Sequence, residues 1–376
     1  MLESRNIQLD IAKGIGILFV VYCHSIEIFN NEFPFRFFYL FHMAFFFILS
    51  GYFFKEKYVL NLKNIKDFIY KRAKKLLIPY LTFNIVFCLL HNFFIDILFL
   101  PSNNSFFDML DTKVMLTWTI DKYTNIDIIK HLVWISLLGY QEFFVGTTWF
   151  LKVLFFINSS YIIGCYIINK YFNENYSNII KLMICLICLV IGYYFSLKEW
   201  TFYKIGTMLS CVILFHIGTL HKKFKDKIPK INMFITFMFS TFLLCIINLY
   251  NPKFFYISHN WYNNPFWFLS ASISGYIWIL QLAKIIHLNT ILTKIFSYIG
   301  KYTISILCLH LLFFKVTILL QIILLNKPIQ MLQAYETYHT SYSWGFIYTF
   351  ISIMCCLLSS KIYRYFRSRN TIRIDE

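Results

Sequence analysis

The sequence predicts an all-α polytopic integral membrane protein: a bundle of about ten transmembrane helices with both termini cytoplasmic. Three observations predict it. Apolar types make up 59% of the 376 residues and charged types only 14%, with a mean hydropathy of +0.60. So much apolar surface is hidden only in lipid, which excludes a soluble enzyme, a disordered chain and a disulfide-stapled secreted domain. The apolar residues fall into runs of membrane-spanning length. The Lys and Arg residues behind the net charge of +17 sit in short blocks between those runs, which marks cytoplasmic loops and not a nucleic-acid surface.

Taken in order, the runs place helices at about 11–29, 37–54, 76–100, 149–168, 179–196, 203–220, 231–250, 264–286, 298–325 and 343–363. Lys13 precedes the first run, but no small-x-small cleavage site follows, so this run is expected to remain as a membrane helix. The 55–75 loop carries Lys55, Lys57, Lys63, Lys66, Lys71, Arg72, Lys74 and Lys75 against Glu56 and Asp67. The 221–230 loop carries Lys222, Lys223, Lys225, Lys227 and Lys230 against Asp226, and the tail carries Lys361, Arg364, Arg367, Arg369 and Arg373. With ten crossings, these basic segments and the N-terminus share one side, the cytoplasmic one. The 101–148 segment falls opposite and is acidic, with Asp108, Asp111, Asp121, Asp127 and Glu142 against Lys113, Lys122 and Lys130. A short amphipathic helix is expected within it, near Ile126–Leu138. Residues 1–376 thus read as a single transmembrane domain, with 101–148 an extracytoplasmic loop segment inside it. The ten Cys residues lie mostly inside apolar runs; Cys185 and Cys188 form a CxxC within a helix. Small apolar filler accounts for them, and no metal is expected.

Polar groups in the hydrocarbon region are expensive, a central charge costing about 3 kcal/mol or more. Those present anyway are the candidates for chemistry. Asp10, Lys13 and His24 share the first helix. Lys13 and His24 are close to three turns apart, which puts them on one face and about 16 Å apart along the axis. Asp10, one turn before Lys13, falls on nearly the same face. A polar line is expected to run from the cytoplasmic surface to about mid-membrane. Gly14 and Gly16 allow close approach to it. His310 lies about twelve residues into its expected helix, also near the midplane. His42 lies a few residues in from the outer face. The plain reading of each His is one interhelical hydrogen bond; the catalytic reading is a neutral imidazole acting as base, acid or donor. His216, near the end of the sixth run, is assigned no role.

At the mouth of the third helix stands Lys71-Arg72-Ala-Lys74-Lys75, with Arg72 and Lys75 one turn apart. Topology and lipid headgroups account for such a block, and so does a phosphate site, because Arg offers a bidentate fork and Lys a mobile charge. Trp149 marks the outer boundary of the fourth helix, where an interfacial anchor is the plain reading. Glu142 just before it is a candidate for contact with a polar acceptor. A cationic mouth, a polar stripe and imidazoles at depth fit a reaction that crosses a membrane. An anionic donor with a slender thioester arm, such as acyl-coenzyme A, suits that path. An alcohol attacking the thioester needs a base, for which His24 is placed, and donors for the oxyanion.

The run from Asp10-Ile-Ala-Lys13-Gly14 to His24-Ser25 resembles the opening of the membrane acyltransferase-3 family, with a basic residue, ten spacers and a His. Phe41-His42-Met43-Ala44-Phe45-Phe46-Phe47-Ile48-Leu49-Ser50-Gly51 is similar to the second signature of its fucose 4-O-acetylase-like branch, with Ala44 where that branch usually has Pro. Arg72-Ala-Lys74-Lys75, Thr148-Trp149-Phe150-Leu151 and Tyr298 to His310 resemble further family segments. The resemblance implies transfer of an acyl group, usually acetyl, from cytoplasmic acetyl-CoA to a hydroxyl of a surface polysaccharide or lipid-linked glycan sugar. It implies that Lys13 and His24 matter most and that Arg72 and Lys75 help hold the donor. From the residues themselves, Asp10 and His310 are expected beside the catalytic pair, Lys71 and Lys74 beside the donor, and His42, Trp149 and Glu142 on the acceptor side. The expected location is a bacterial inner membrane, the expected partners are acyl-CoA, the glycan acceptor and membrane lipids, and nothing in the sequence sets an oligomeric state. Two readings compete: succinyl or other acyl transfer to an exopolysaccharide, and a glycan exporter without chemistry, against which stands the lack of a repeated half.

Overall fold

The computed structural model describes residues 6–27, 32–102, 119–227, 229, 231–251, 255–334, 337–338 and 342–372. Asp108, Asp111 and Lys113 of the acidic segment, and Lys230 and Arg373 of the basic ones, lie outside these residues. Among the described residues the chain is helical throughout, the sole strand-like feature being a bridge between Tyr256 and Trp261. The helices are α1 (Ile7–Ser25), α2 (Phe35–Tyr39), α3 (His42–Tyr52), α4 (Leu62–Arg72), α5 (Ile78–Leu89), α6 (His91–Asp96), α7 (Asn125–Ser136) and α8 (Trp149–Tyr171). There follow α9 (Glu174–Leu197), α10 (Ile205–Phe224), α11 (Met233–Tyr250), α12 (Pro265–His287), α13 (Thr290–Lys301), α14 (Thr303–Leu324) and α15 (Tyr342–Ile372).

Nine helical stretches among the described residues are long and apolar enough to cross a membrane. They coincide with nine of the ten expected runs. The expected helix over 76–100 is divided: α5 stops at Leu89, Leu90 turns out of helical geometry, and α6 continues only to Asp96. Three further runs depart in detail. The 37–54 run breaks at Leu40–Phe41, where Phe41 leaves the α region. The 298–325 run breaks at Tyr302, between α13 and α14. The first helix ends at Ser25 and not near residue 29, because the chain tightens there: Ile26 N–H meets both the Tyr22 and the Cys23 carbonyls.

Local chemistry explains the starts. Asn61, Asn173, Asn232 and Asn264 each cap a helix through a side-chain oxygen that accepts a backbone N–H of the first turn. Thr124 and Asp127 form a reciprocal capping box at α7, the amphipathic helix expected near Ile126–Leu138. Between α4 and α5 the helix widens into a π stretch over Ala73–Leu77, where Ile78 N–H reaches back to the Ala73 carbonyl. Pro79 supplies the reason: it has no N–H for the preceding turn, and its ring crowds that turn's carbonyl.

The chain divides into two compact units. Unit 1 comprises Met1–Ala12, Asn31–Thr82 and Thr148–Thr293; unit 2 comprises Lys13–Asn30, Phe83–Thr147 and Lys294–Glu376. In unit 1, α3 and α10 pack backbone to backbone. A Cβ on Gly51 would strike the Phe215 carbonyl, and one on Gly218 the Ile48 carbonyl, so both contacts require glycine. The outer faces of α9 and α11 stay bare of protein, with Val190 64% and Met238 65% exposed, as lipid-facing helices require. In unit 2, α14 pairs with α15. Lys315 of α14 is fully buried and donates to the Leu332 and Ala334 carbonyls at 2.9 and 2.7 Å. Tyr348 of α15 donates to the Gln321 side chain of α14.

Candidate active site

The site is built in unit 2 from the end of α1 and the first half of α14. His24 occupies the last turn of α1 and not its middle, a consequence of the early helix end. Its side chain keeps 17% exposure, enough to be reached. Its Nδ1 lies 3.1 Å from Glu27 Oε2, just beyond the helix end. A carboxylate only accepts, so Nδ1–H donates and Nε2 is the basic nitrogen. A carboxylate behind an imidazole fixes the tautomer and stabilises the imidazolium once a proton arrives.

His310 stands opposite. Its ring centroid is 5.4 Å from that of His24, with the planes at 44°. It is fully buried. Its Nδ1 contacts the Ile306 and Leu307 carbonyls at 2.9 and 3.1 Å. Carbonyls only accept, so Nδ1 carries a proton, and in the neutral ring the lone pair lies on Nε2. That atom is buried and has no hydrogen-bond partner among the described residues. Neighbours hold the ring still: Thr147 Oγ1 donates to the Leu307 carbonyl at 2.7 Å, Ser352 Oγ to the His310 carbonyl at 3.0 Å, and Phe314 packs edge-on at 5.8 Å. The end of α1 is fastened to α15 by Ser25, whose hydroxyl reaches the Tyr22 and Gly345 carbonyls at 2.7 and 3.0 Å. Farther down α1, Gly14 lies against α13, where a Cβ would strike the Phe296 carbonyl.

The pair can therefore do acid–base work. One imidazole is backed by a carboxylate, and the other holds a buried Nε2 without a hydrogen-bond partner among the described residues. Lys13 lies near the opposite end of the same helix, half-buried, and Asp10 is 3% exposed.

The other expected residues lie as follows. His42 opens α3 in unit 1, is 2% exposed, and its Nδ1 donates to the Phe38 carbonyl at 3.1 Å. The helix breaks at Leu40–Phe41 directly before it. Arg72 closes α4 with its guanidinium 5.0 Å above the Phe68 ring. Burial lowers its pKa, an effect that Tyr58 partly opposes. Lys71 lies over the Tyr58 ring at 5.7 Å, while Lys74 and Lys75 are exposed in the π stretch. That widened turn alters the common face expected of Arg72 and Lys75. Trp149 is the first residue of α8 and is 8% exposed.

Glu142 belongs to a buried cluster that sequence reasoning did not assemble. Its carboxylate accepts from His91 Nδ1 at 3.3 Å and from the Tyr123 hydroxyl at 3.3 Å, and its backbone N–H donates to Asn84 at 2.9 Å. His91 stacks on Tyr123 at 3.5 Å, and His131 of α7 lies between Tyr123 and Tyr140. Glu27 was missed as well. The signal was present, a carboxylate three residues after His24, but it reads as an ordinary helix residue once the helix is drawn through it to about residue 29.

A family model described as an acyltransferase domain matches residues 6–361, nearly the whole chain. No curated protein and no solved structure matches it.

Proposed function

This chain belongs to the acyltransferase-3 family, and from that premise we propose that it is an integral-membrane O-acetyltransferase. It moves acetyl from cytoplasmic acetyl-CoA to a hydroxyl on a sugar of a cell-surface polysaccharide or lipid-linked glycan, in a bacterial inner membrane. The observation that carries the reading is the His24–Glu27 pair set opposite the empty Nε2 of His310.

The steps balance without a further reagent. The sugar hydroxyl gives its proton to His24 Nε2 as its oxygen attacks the thioester carbonyl. The resulting imidazolium is held by Glu27. The tetrahedral intermediate then expels the coenzyme A thiolate, which takes the proton back from His24. His310 Nε2 accepts a hydrogen bond from the sugar and so orients it. Arg72 and Lys75, with Lys71 and Lys74 near them, hold the coenzyme A phosphates. Lys13 and Asp10 support the donor arm along α1, and His42 and Trp149 serve the acceptor.

The topology belongs to the same proposal. The basic loops at 55–75 and 221–230 face the cytoplasm with both termini. α5 and α6 together extend about 28 Å at ~1.5 Å per residue and supply the tenth crossing in two pieces.

Mass spectrometry of surface glycans tests this, comparing cells that carry the wild-type chain with cells lacking it. Acetyl esters present only with the chain are the expected result. A succinyl mark in their place would change the donor and keep the enzyme class. Identical glycans in both would overturn the reading.

A further inference from the structure

Within unit 1, a cavity of about 710 Å3 opens where α8 ends, α9 begins and α10 ends. That volume lies within the ~300–1,000 Å3 typical of small-molecule sites. His216 of α10 lines it and is 2% exposed. The Tyr161 hydroxyl lies 2.7 Å from His216 Nδ1 and 3.1 Å from Thr219 Oγ1. Thr219 gives its own hydrogen to the His216 carbonyl at 2.7 Å. With its hydrogen so used, Thr219 accepts from the Tyr161 hydroxyl, and the Tyr161 oxygen accepts from His216 Nδ1–H, which in the neutral ring leaves the lone pair on Nε2. Nε2 is buried and has no hydrogen-bond partner among the described residues. A buried acceptor lacking a donor is costly, so a ligand hydroxyl that reaches it is stabilised there.

The walls are cationic. Lys170, Lys181 and Lys223 line the cavity against Glu56 and Glu174. Glu174 is already paired with Lys223 at 2.8 Å. Among the described residues, Lys170 and Lys181 have no carboxylate within ion-pair distance. The rim is apolar: Leu60 is 75% and Phe172 49% exposed at its edge. A cationic interior under an apolar rim suits an amphiphile whose head enters while its chains stay in the bilayer.

We propose that this cavity binds the phosphate head of an anionic phospholipid, a site that the acyl-transfer reaction does not use. Lys170 and Lys181 take the phosphate, and His216 Nε2 accepts from a hydroxyl of the head. A soluble phosphate monoester carries the same chemistry, so the test has an arm for each source.

The full chain is purified into phosphatidylcholine nanodiscs, and bound molecules are read by native mass spectrometry. Phosphatidylglycerol is offered in the disc and glycerol 3-phosphate in solution. The expected result is retained phosphatidylglycerol, weakened about fivefold by each of Lys170→Gln and Lys181→Gln. Both lysines are outside the core, so these variants keep the fold, which an unchanged thermal midpoint verifies. Retention of glycerol 3-phosphate with the same lysine dependence keeps the phosphate site and makes its source soluble. Phosphatidylglycerol held equally by the wild type and the double variant, or no better than phosphatidylcholine, overturns the proposal. Lipid retention needs no acyl transfer, so failure here leaves the enzymatic reading standing, and the converse.

Discussion

The rings of His24 and His310 meet at 5.4 Å, although one belongs to the first membrane helix and the other to the fourteenth helix of the chain. Their roles differ because their Nδ1 partners differ: a carboxylate behind one, two carbonyls behind the other. The two nitrogens of His310 can be separated by substitution. His310→Asn keeps a donor near the Nδ1 position and loses the Nε2 acceptor; His310→Gln places an amide oxygen near Nε2. The Asn variant is expected to lose acyl transfer by about 10²-fold at an unchanged thermal midpoint, with partial recovery in the Gln variant. Full activity of the Asn variant would confine His310 to packing.

Glu27 is 5% exposed and touches the ring that the mechanism makes the base. Glu27→Gln keeps the volume and removes the charge that holds the imidazolium. The rate of transfer at saturating acetyl-CoA is expected to fall by about 10²-fold or more, with little change in the KM for the donor. A change confined to KM would place Glu27 in binding and not in proton transfer.

Close packing in unit 2 makes a stability prediction at Gly14. A side chain there meets the Phe296 backbone, which cannot swing away. Gly14→Leu is expected to lower stability by about 1–3 kcal/mol, read as a lower thermal midpoint of the purified protein. Gly146→Ala is the control, because a Cβ there meets nothing within 4 Å.

The α7 helix carries a pH dependence. His131 packs between Tyr123 and Tyr140 at centroid distances of 4.4 and 4.2 Å. Burial lowers its pKa below the ordinary 6.5; Glu142 pulls upward, His91 downward, and Asp127 and Lys130 make smaller opposed contributions. A depressed folded pKa means that the packing is fully present above 6.5 and is lost as pH falls through the folded value. Amide exchange of α7, corrected for its intrinsic pH dependence, should quicken as pH falls from about 7 to about 5. His131→Phe should remove that pH dependence.

Much of this arrangement could be read before any coordinates. Long apolar runs mark spans because nothing else hides them, and Thr124 with Asp127 marks a helix start by mechanism. His24 and His310 each stood out as polar groups in apolar runs. Their meeting could not be read, since it depends on how α1 and α14 pack. The breaks at Phe41 and Leu90 were equally hidden: the apolar run continues through both, and tertiary packing ends the helix. The π stretch was legible in principle, because Pro79 denies the preceding turn its N–H. Glu142 is legible as a candidate for contact with a polar acceptor, but its hydrogen bonds with His91, Tyr123 and Asn84 are not, because those residues are distant enough in sequence to carry no joint signal.

Acetyl-CoA turnover by the reconstituted His24→Gln variant, at matched protein in vesicles containing the cell's own glycan lipids, tests the central claim most directly. The account predicts glycan acetylation reduced by about 10²–10⁴-fold, with acetyl-CoA still bound. Acetylation at the wild-type rate would remove the imidazole from the chemistry and leave His24 a structural residue at the end of its helix.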